Sequence, residues 1–129
     1  MIFHIFNSQE ERRAFGGSAF IELQFCKLSP DTKVKKIVNN IKYWQNDSLY
    51  VYLDDIDTFD QEYGHILSSG IYNNMKSGMV DIYGINYYKP ALIDSIIERL
   101  NKEKPTDYEV LVSWLIESKS YNGFYVLGI

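Results

Sequence analysis

The chain has 129 residues, 46% of them hydrophobic, and a formal net charge of −4, which suits one domain built around one core. A single cysteine, Cys26, excludes an intrachain disulfide framework and fits a reducing compartment, and no run approaches the roughly 18 apolar residues of a membrane span. The charge is uneven: residues 1–46 sum to +3, residues 47–81 to −6 and residues 82–129 to −1, so the acidic middle argues against binding a phosphate backbone and for docking something basic.

The opening "MIFHIFNSQEERR" has too short an apolar part, and its charges on the wrong side, for a signal peptide. The expectation is a soluble cytoplasmic protein. "MIFHIF" reads as an N-terminal strand, "FGGSAF" as a turn, and "AFIELQF" as a half-buried strand with Ile21, Leu23 and Phe25 on one face and Glu22 and Gln24 on the other. Ser29 as N-cap and Pro30 at the first helical position predict an amphipathic helix over roughly 30–45. Val34, Ile37, Val38, Ile41 and Trp44 form its stripe, and its lysines are solvated. "SLYVYL" returns to period two, with Leu49, Val51 and Leu53 opposite Tyr50 and Tyr52.

Next comes "LDDIDTFDQEY", residues 53–63, with five carboxylates among Leu, Ile, Phe and Tyr. Asp57 is the expected cap of a short helix in which Phe59, Tyr63 and Ile66 or Leu67 share a face; carboxylates near such an N-terminus are stabilised by the helix dipole. "SSGIYNNMKSG" reads as a loop and "MVDIYGINYY" as a strand with a bulge at Gly84. Pro90 opens a helix with Leu92, Ile93, Ile96, Ile97 and Leu100 as its stripe, ending before Pro105. Thr106 and Glu109 spell a capping box for a second helix, and Asn122–Gly123 turns the chain into a terminal strand, "FYVLGI". The sum is a single α+β domain, residues 1–129, with a mixed or mostly antiparallel sheet of about five strands and three to four helices.

Candidate chemistry is sparse. A calcium loop needs D-x-[DN]-x-[DN]-G; Asp55 and Asp57 match, but Phe59 holds the third ligand position and Asp60 the place of glycine. His4 and His65 show no ligand spacing, Cys26 reads as a small buried hydrophobe, and Ser18 in "FGGSAF" is not a nucleophile elbow. There is no phosphate loop, H-E-x-x-H, C-x-x-C or dinucleotide fingerprint, so no catalytic residue, metal ligand or cofactor is assigned. Aromatic surface is what the chain over-supplies, with 11 tyrosines, a residue that interfaces favour. A small metal-dependent hydrolase or nuclease using Asp54, Asp55 and Asp57 is the alternative.

With no catalytic signature, "YLDDIDTFDQEY", "GIYNNMKSGMVDIYGINYY" and "DYEVLVSWLIESKSYNGFYVLGI" give the chain a resemblance, in style across most of its length, to the immunity proteins of bacterial polymorphic and contact-dependent growth-inhibition toxin systems. The resemblance implies a non-enzymatic toxin inhibitor, monomeric or weakly dimeric, with no direct contact to nucleic acid or membrane. Its partner would be a cognate toxin C-terminal domain, often a nuclease with a basic surface. Asp54, Asp55, Asp57, Asp60 and Glu62 are then expected to meet the toxin's cations, with Tyr63 and Tyr72 as packing anchors.

Overall fold

A computed structural model describes residues 1–129. The apolar alternation of "FIELQF", "LYVY", "INYY" and "FYVL" becomes four strands: β1 (Phe20–Phe25), β2 (Leu49–Tyr52), β5 (Ile85–Tyr88) and β6 (Phe124–Leu127). Two short strands, β3 (Gly70–Ile71) and β4 (Ser77–Gly78), extend them into a six-stranded sheet ordered β2-β1-β6-β5-β3-β4, antiparallel throughout. The last strand in sequence thus lies inside the sheet, where Leu23 faces both Leu49 and Val126 across the ladder.

Because side chains alternate along a strand, this register puts Ile21, Leu23, Phe25, Leu49, Val51, Tyr88, Phe124 and Val126 on one face. Helices α3 (Ile56–Tyr63), α4 (Ile93–Glu103) and α5 (Tyr108–Ser118) cover that face and complete a core of 22 buried residues. Phe25 stacks on Trp114 with ring centroids 4.2 Å apart, and Tyr88 on Phe124 at 4.6 Å. The opposite face carries Phe20, Glu22, Gln24, Tyr50, Tyr87, Tyr125 and Leu127, all buried. It is covered by α1 (Gln9–Gly16) and by the mostly irregular segment 26–47, whose one helical turn is α2 (Val34–Ile37).

The structure bears out the α+β class, and five local expectations need correction. The helix expected over 30–45 shrinks to α2. Val34, Ile37, Val38 and Ile41 do pack on the sheet, but the Asn39 side chain donates to Lys35 O at 2.7 Å, competing for a helical carbonyl, and Trp44 takes φ +77°. "MIFHIF" pairs only through His4, which exchanges backbone hydrogen bonds with Tyr50 at the β2 edge. Ile2 and Phe3, just before it, are drawn to the helical face, their N–H groups both donating to Asp107 Oδ2. No capping box forms at Thr106, whose hydroxyl donates to Glu62, while Asp107 takes the N-cap position in the left-handed region. The "SSGIYNNMKSG" loop contains the β3–β4 hairpin, whereas residues 79–84 of "MVDIYGINYY" are irregular.

Helix α1, not expected from sequence, begins at Ser8, whose Oγ accepts from Glu11 N while Glu11 Oε2 accepts from Asn7 N. Arg12 is the one buried residue of this helix.

Candidate partner-binding surface

After β2 the chain tightens into a 3-10 turn over Leu53–Asp55 and runs straight into α3. Ile56, Phe59 and Tyr63 must face the core, and the helical period then forces the intervening carboxylates outward. Asp54, Asp57 and Asp60 are exposed, with Asp55 half-buried beside them. Spacing of three along one continuous helical run lines Asp54, Asp57 and Asp60 up on neighbouring turns. None of the four forms an ion pair within the molecule. Asp55 occupies the N-cap position of α3 without a side-chain capping bond, so Asp57 does not cap this helix as expected but sits in its first turn.

Glu62 and Tyr63 leave this surface. Both Glu62 oxygens accept from the Thr106 hydroxyl at 2.9 Å, and Oε1 also accepts from Thr106 N at 2.8 Å, which ties α3 to the connection before α5. Tyr63 is fully buried between Phe3 and Phe59, and its hydroxyl donates to Thr106 O at 2.6 Å. Burial, reinforced by the charges of Asp107 and Glu62, pushes that hydroxyl above its ordinary value and keeps it a donor. A side chain so enclosed is a core residue and offers no anchor to a partner.

Tyr72 is half-buried; its hydroxyl donates to Met79 O at 2.5 Å, and its ring covers Gly78. This hairpin delivers Met79, 55% exposed, to the end of α3. A Cβ at Gly64 would lie 3.4 Å from both Met79 Cε and Asp60 Oδ1. Leu53, also exposed, marks the other end of the acidic row. The surface that emerges is Asp54, Asp55, Asp57 and Asp60 with apolar Leu53 and Met79 at its ends and Tyr72 behind Met79. Nothing in the sequence pattern near Met79 points to α3; only the hairpin brings it there.

The remaining candidates have local roles. His4 stacks with Phe6 and lies against Phe15. His65 Nε2 lies 2.6 Å from Glu103 Oε1, and Arg99 donates to both Glu103 Oε2 and His65 O. Cys26 is buried, its thiol 3.5 Å from the Tyr125 hydroxyl, and Ser18 is exposed on the connection before β1. No three His, Cys, Asp or Glu side chains converge in a way that would hold a metal ion, the acidic row included. No helix is long and apolar enough to cross a membrane. Comparison with protein-family models, with curated proteins and with solved structures finds no match.

Proposed function

We propose that this protein binds a basic protein partner through the acidic face of α3, and that it acts as an immunity protein, neutralising a cognate toxin domain by covering its cationic surface. The observation carrying this reading is the row Asp54, Asp57, Asp60, exposed at helical spacing, without an internal ion pair and bordered by exposed Leu53 and Met79. Like charges three residues apart on a helix oppose its stability by roughly 0.2–0.5 kcal/mol per pair; the helix dipole offsets this for Asp55 and Asp57 at the start of α3, while Asp60, beyond the first turn, has no such local support. Opposed charge would accelerate encounter, and the flanking apolar side chains would slow dissociation. The resemblance to toxin-immunity proteins supplies the class of partner. The metal-dependent hydrolase reading has no convergent ligand group behind it.

The test takes the product of the neighbouring reading frame as the candidate toxin and titrates it with the wild type and with a variant carrying Asp54→Asn, Asp55→Asn, Asp57→Asn and Asp60→Asn. Affinity is expected to fall by at least about 2 kcal/mol, roughly thirtyfold, with the loss growing smaller as salt is raised. Stability of the free protein should change by no more than about 1 kcal/mol, because the replaced groups form no internal ion pair and only their mutual repulsion and the helix-dipole contribution are lost. Equal affinity of the two proteins would remove this face from the interface.

A further inference from the structure

A cavity of about 210 Å³ opens on the face of the sheet away from α3. Its lining includes buried Arg12 of α1, Phe20 and Glu22 of β1 and Leu127 of β6, with Ser18, Tyr43 and Ile129 as the exposed residues around its mouth. The two charged residues are both withdrawn from solvent, Arg12 to 8% exposure and Glu22 to 2%. Withdrawing a guanidinium and a carboxylate from water is costly unless each is paired, and a fold that buries both side by side ordinarily pairs them with each other. Here they line one cavity without forming an ion pair within 4.0 Å.

Glu22 is partly answered by the protein. Oε1 accepts from Trp44 N at 2.8 Å, and Oε2 accepts from Ser48 Oγ at 2.7 Å and Gln24 Nε2 at 2.9 Å. Three of about four acceptor positions are filled by neutral donors, which leaves its negative charge and one position on Oε1. Arg12 is answered less well. No protein group accepts from its side chain: Nε is enclosed out of reach of solvent, the terminal nitrogens are left as the groups a ligand could meet, and the guanidinium rests over the rings of Phe20, Trp44 and Tyr50 at 5.5–5.8 Å. Those rings offset part of the charge but accept no in-plane hydrogen bond from the guanidinium fork.

We propose that this cavity binds a small zwitterion, with its carboxylate on Arg12 and its ammonium group against Glu22; a free α-amino acid with a short side chain is the simplest such ligand. The chemistry eliminates the other classes. A dianion would meet Glu22 at close range, a cation would meet Arg12, a neutral solute would leave the guanidinium unpaired, and a monoanion would leave the charge of Glu22 unanswered. A volume of about 210 Å³ has room for a compact amino acid. The site lies on the opposite side of the sheet from the acidic row, so it stands or falls separately from the proposed toxin binding.

The experiment is calorimetric titration of the full chain with L-alanine and L-serine, beside acetate and ethylammonium, which carry one charge each, and inorganic phosphate. The zwitterions are expected to bind one to one and to raise the melting temperature. Acetate and ethylammonium should bind at least about tenfold more weakly, since each leaves one buried charge unanswered, and phosphate should not bind. Arg12→Gln should abolish binding. Ser18→Trp, which obstructs the rim from an exposed position, should do the same while leaving the circular dichroism spectrum unchanged, so a misfolded Arg12→Gln protein would not obscure the result. Absence of saturable binding by either amino acid overturns the proposal, as does acetate binding as tightly as alanine.

Discussion

The two faces of the sheet are built from the same strands and are stabilised in different ways. The face under α3, α4 and α5 belongs to one continuous apolar cluster of 22 buried residues. The opposite face is divided between clusters of six and three, and between them lie buried Glu22, Gln24 and Ser48 in a hydrogen-bonded group. One side is packed by three regular helices; the other is wrapped by a short helix docked through an arginine and by the largely irregular segment 26–47. Charge segregates in parallel, because Asp54, Asp57 and Asp60 ride on the helical layer while exposed Lys33, Lys35, Lys36 and Lys42 ride on the wrapping segment. The helical side therefore supplies most of the hydrophobic stabilisation, and the wrapped side holds specific polar groups in place.

Equal truncations on the two faces test this division most directly. Leu115 and Leu127 are both fully buried, on the helical and wrapped sides respectively. Leu115→Ala should cost about 4 kcal/mol in urea denaturation, because rigid helices cannot close the void. Leu127→Ala should cost nearer about 2.5 kcal/mol, because an irregular cover can settle inward. Equal losses would show that the wrapped side is packed as rigidly as the helical one.

Charge removal probes the wrapped side by another route. Glu22→Gln keeps shape but turns an amide nitrogen toward donors from Trp44 N or from Ser48 and Gln24, and it withdraws the negative charge near Arg12. A loss of about 2 kcal/mol is expected, accompanied by weaker amide protection at Trp44 in hydrogen exchange. On the helical side, Glu62→Ala frees Thr106 from α3 and should cost about 1 kcal/mol, since both partners retain access to water. Reversal of these two magnitudes would place the more demanding polar contact on the helical face.

Legibility from sequence follows the same division. Elements of the helical side were readable because burial on one face writes a period: Ile21, Leu23 and Phe25 in β1, and Ile93, Ile96 and Leu100 in α4, all lie where the spacing put them. The wrapped side misled the same reading. Val34, Ile37, Val38 and Ile41 have helical spacing, yet residues beyond α2 meet the sheet as an irregular chain, a choice made by the surface they cover. Glu22 and Gln24 alternate with apolar residues as solvent-facing residues do, and only segment 26–47 and α1 bury them. Helix α1 did carry a signal, since Ser8 and Glu11 stand at capping-box spacing with two acids in the first turn. Within the acidic stretch, sequence located the exposed aspartates but could not separate them from Glu62 and Tyr63, whose partner Thr106 is 44 and 43 residues away.

The smallest effect sits where two helical-side elements meet, and it is read through pH. Glu103 at the end of α4 has its carboxyl held below the usual 4.5, chiefly by the hydrogen bond from His65 and further by Arg99. A carboxylate with a lowered folded-state value adds stability that is fully present above its unfolded value and disappears as pH falls through the folded one. The urea midpoint of wild type should therefore exceed that of Glu103→Gln just above pH 4.5, and the margin should close at more acid pH. Because these side chains are exposed, added salt should shrink the margin at every pH. A margin that persisted unchanged into acid would mean that the Glu103 contact stabilises through packing, with ionisation irrelevant. Polar contacts on the helical side would then be as independent of charge as the apolar core beneath them, and the distinction between the two faces would rest on Glu22 and Arg12 alone.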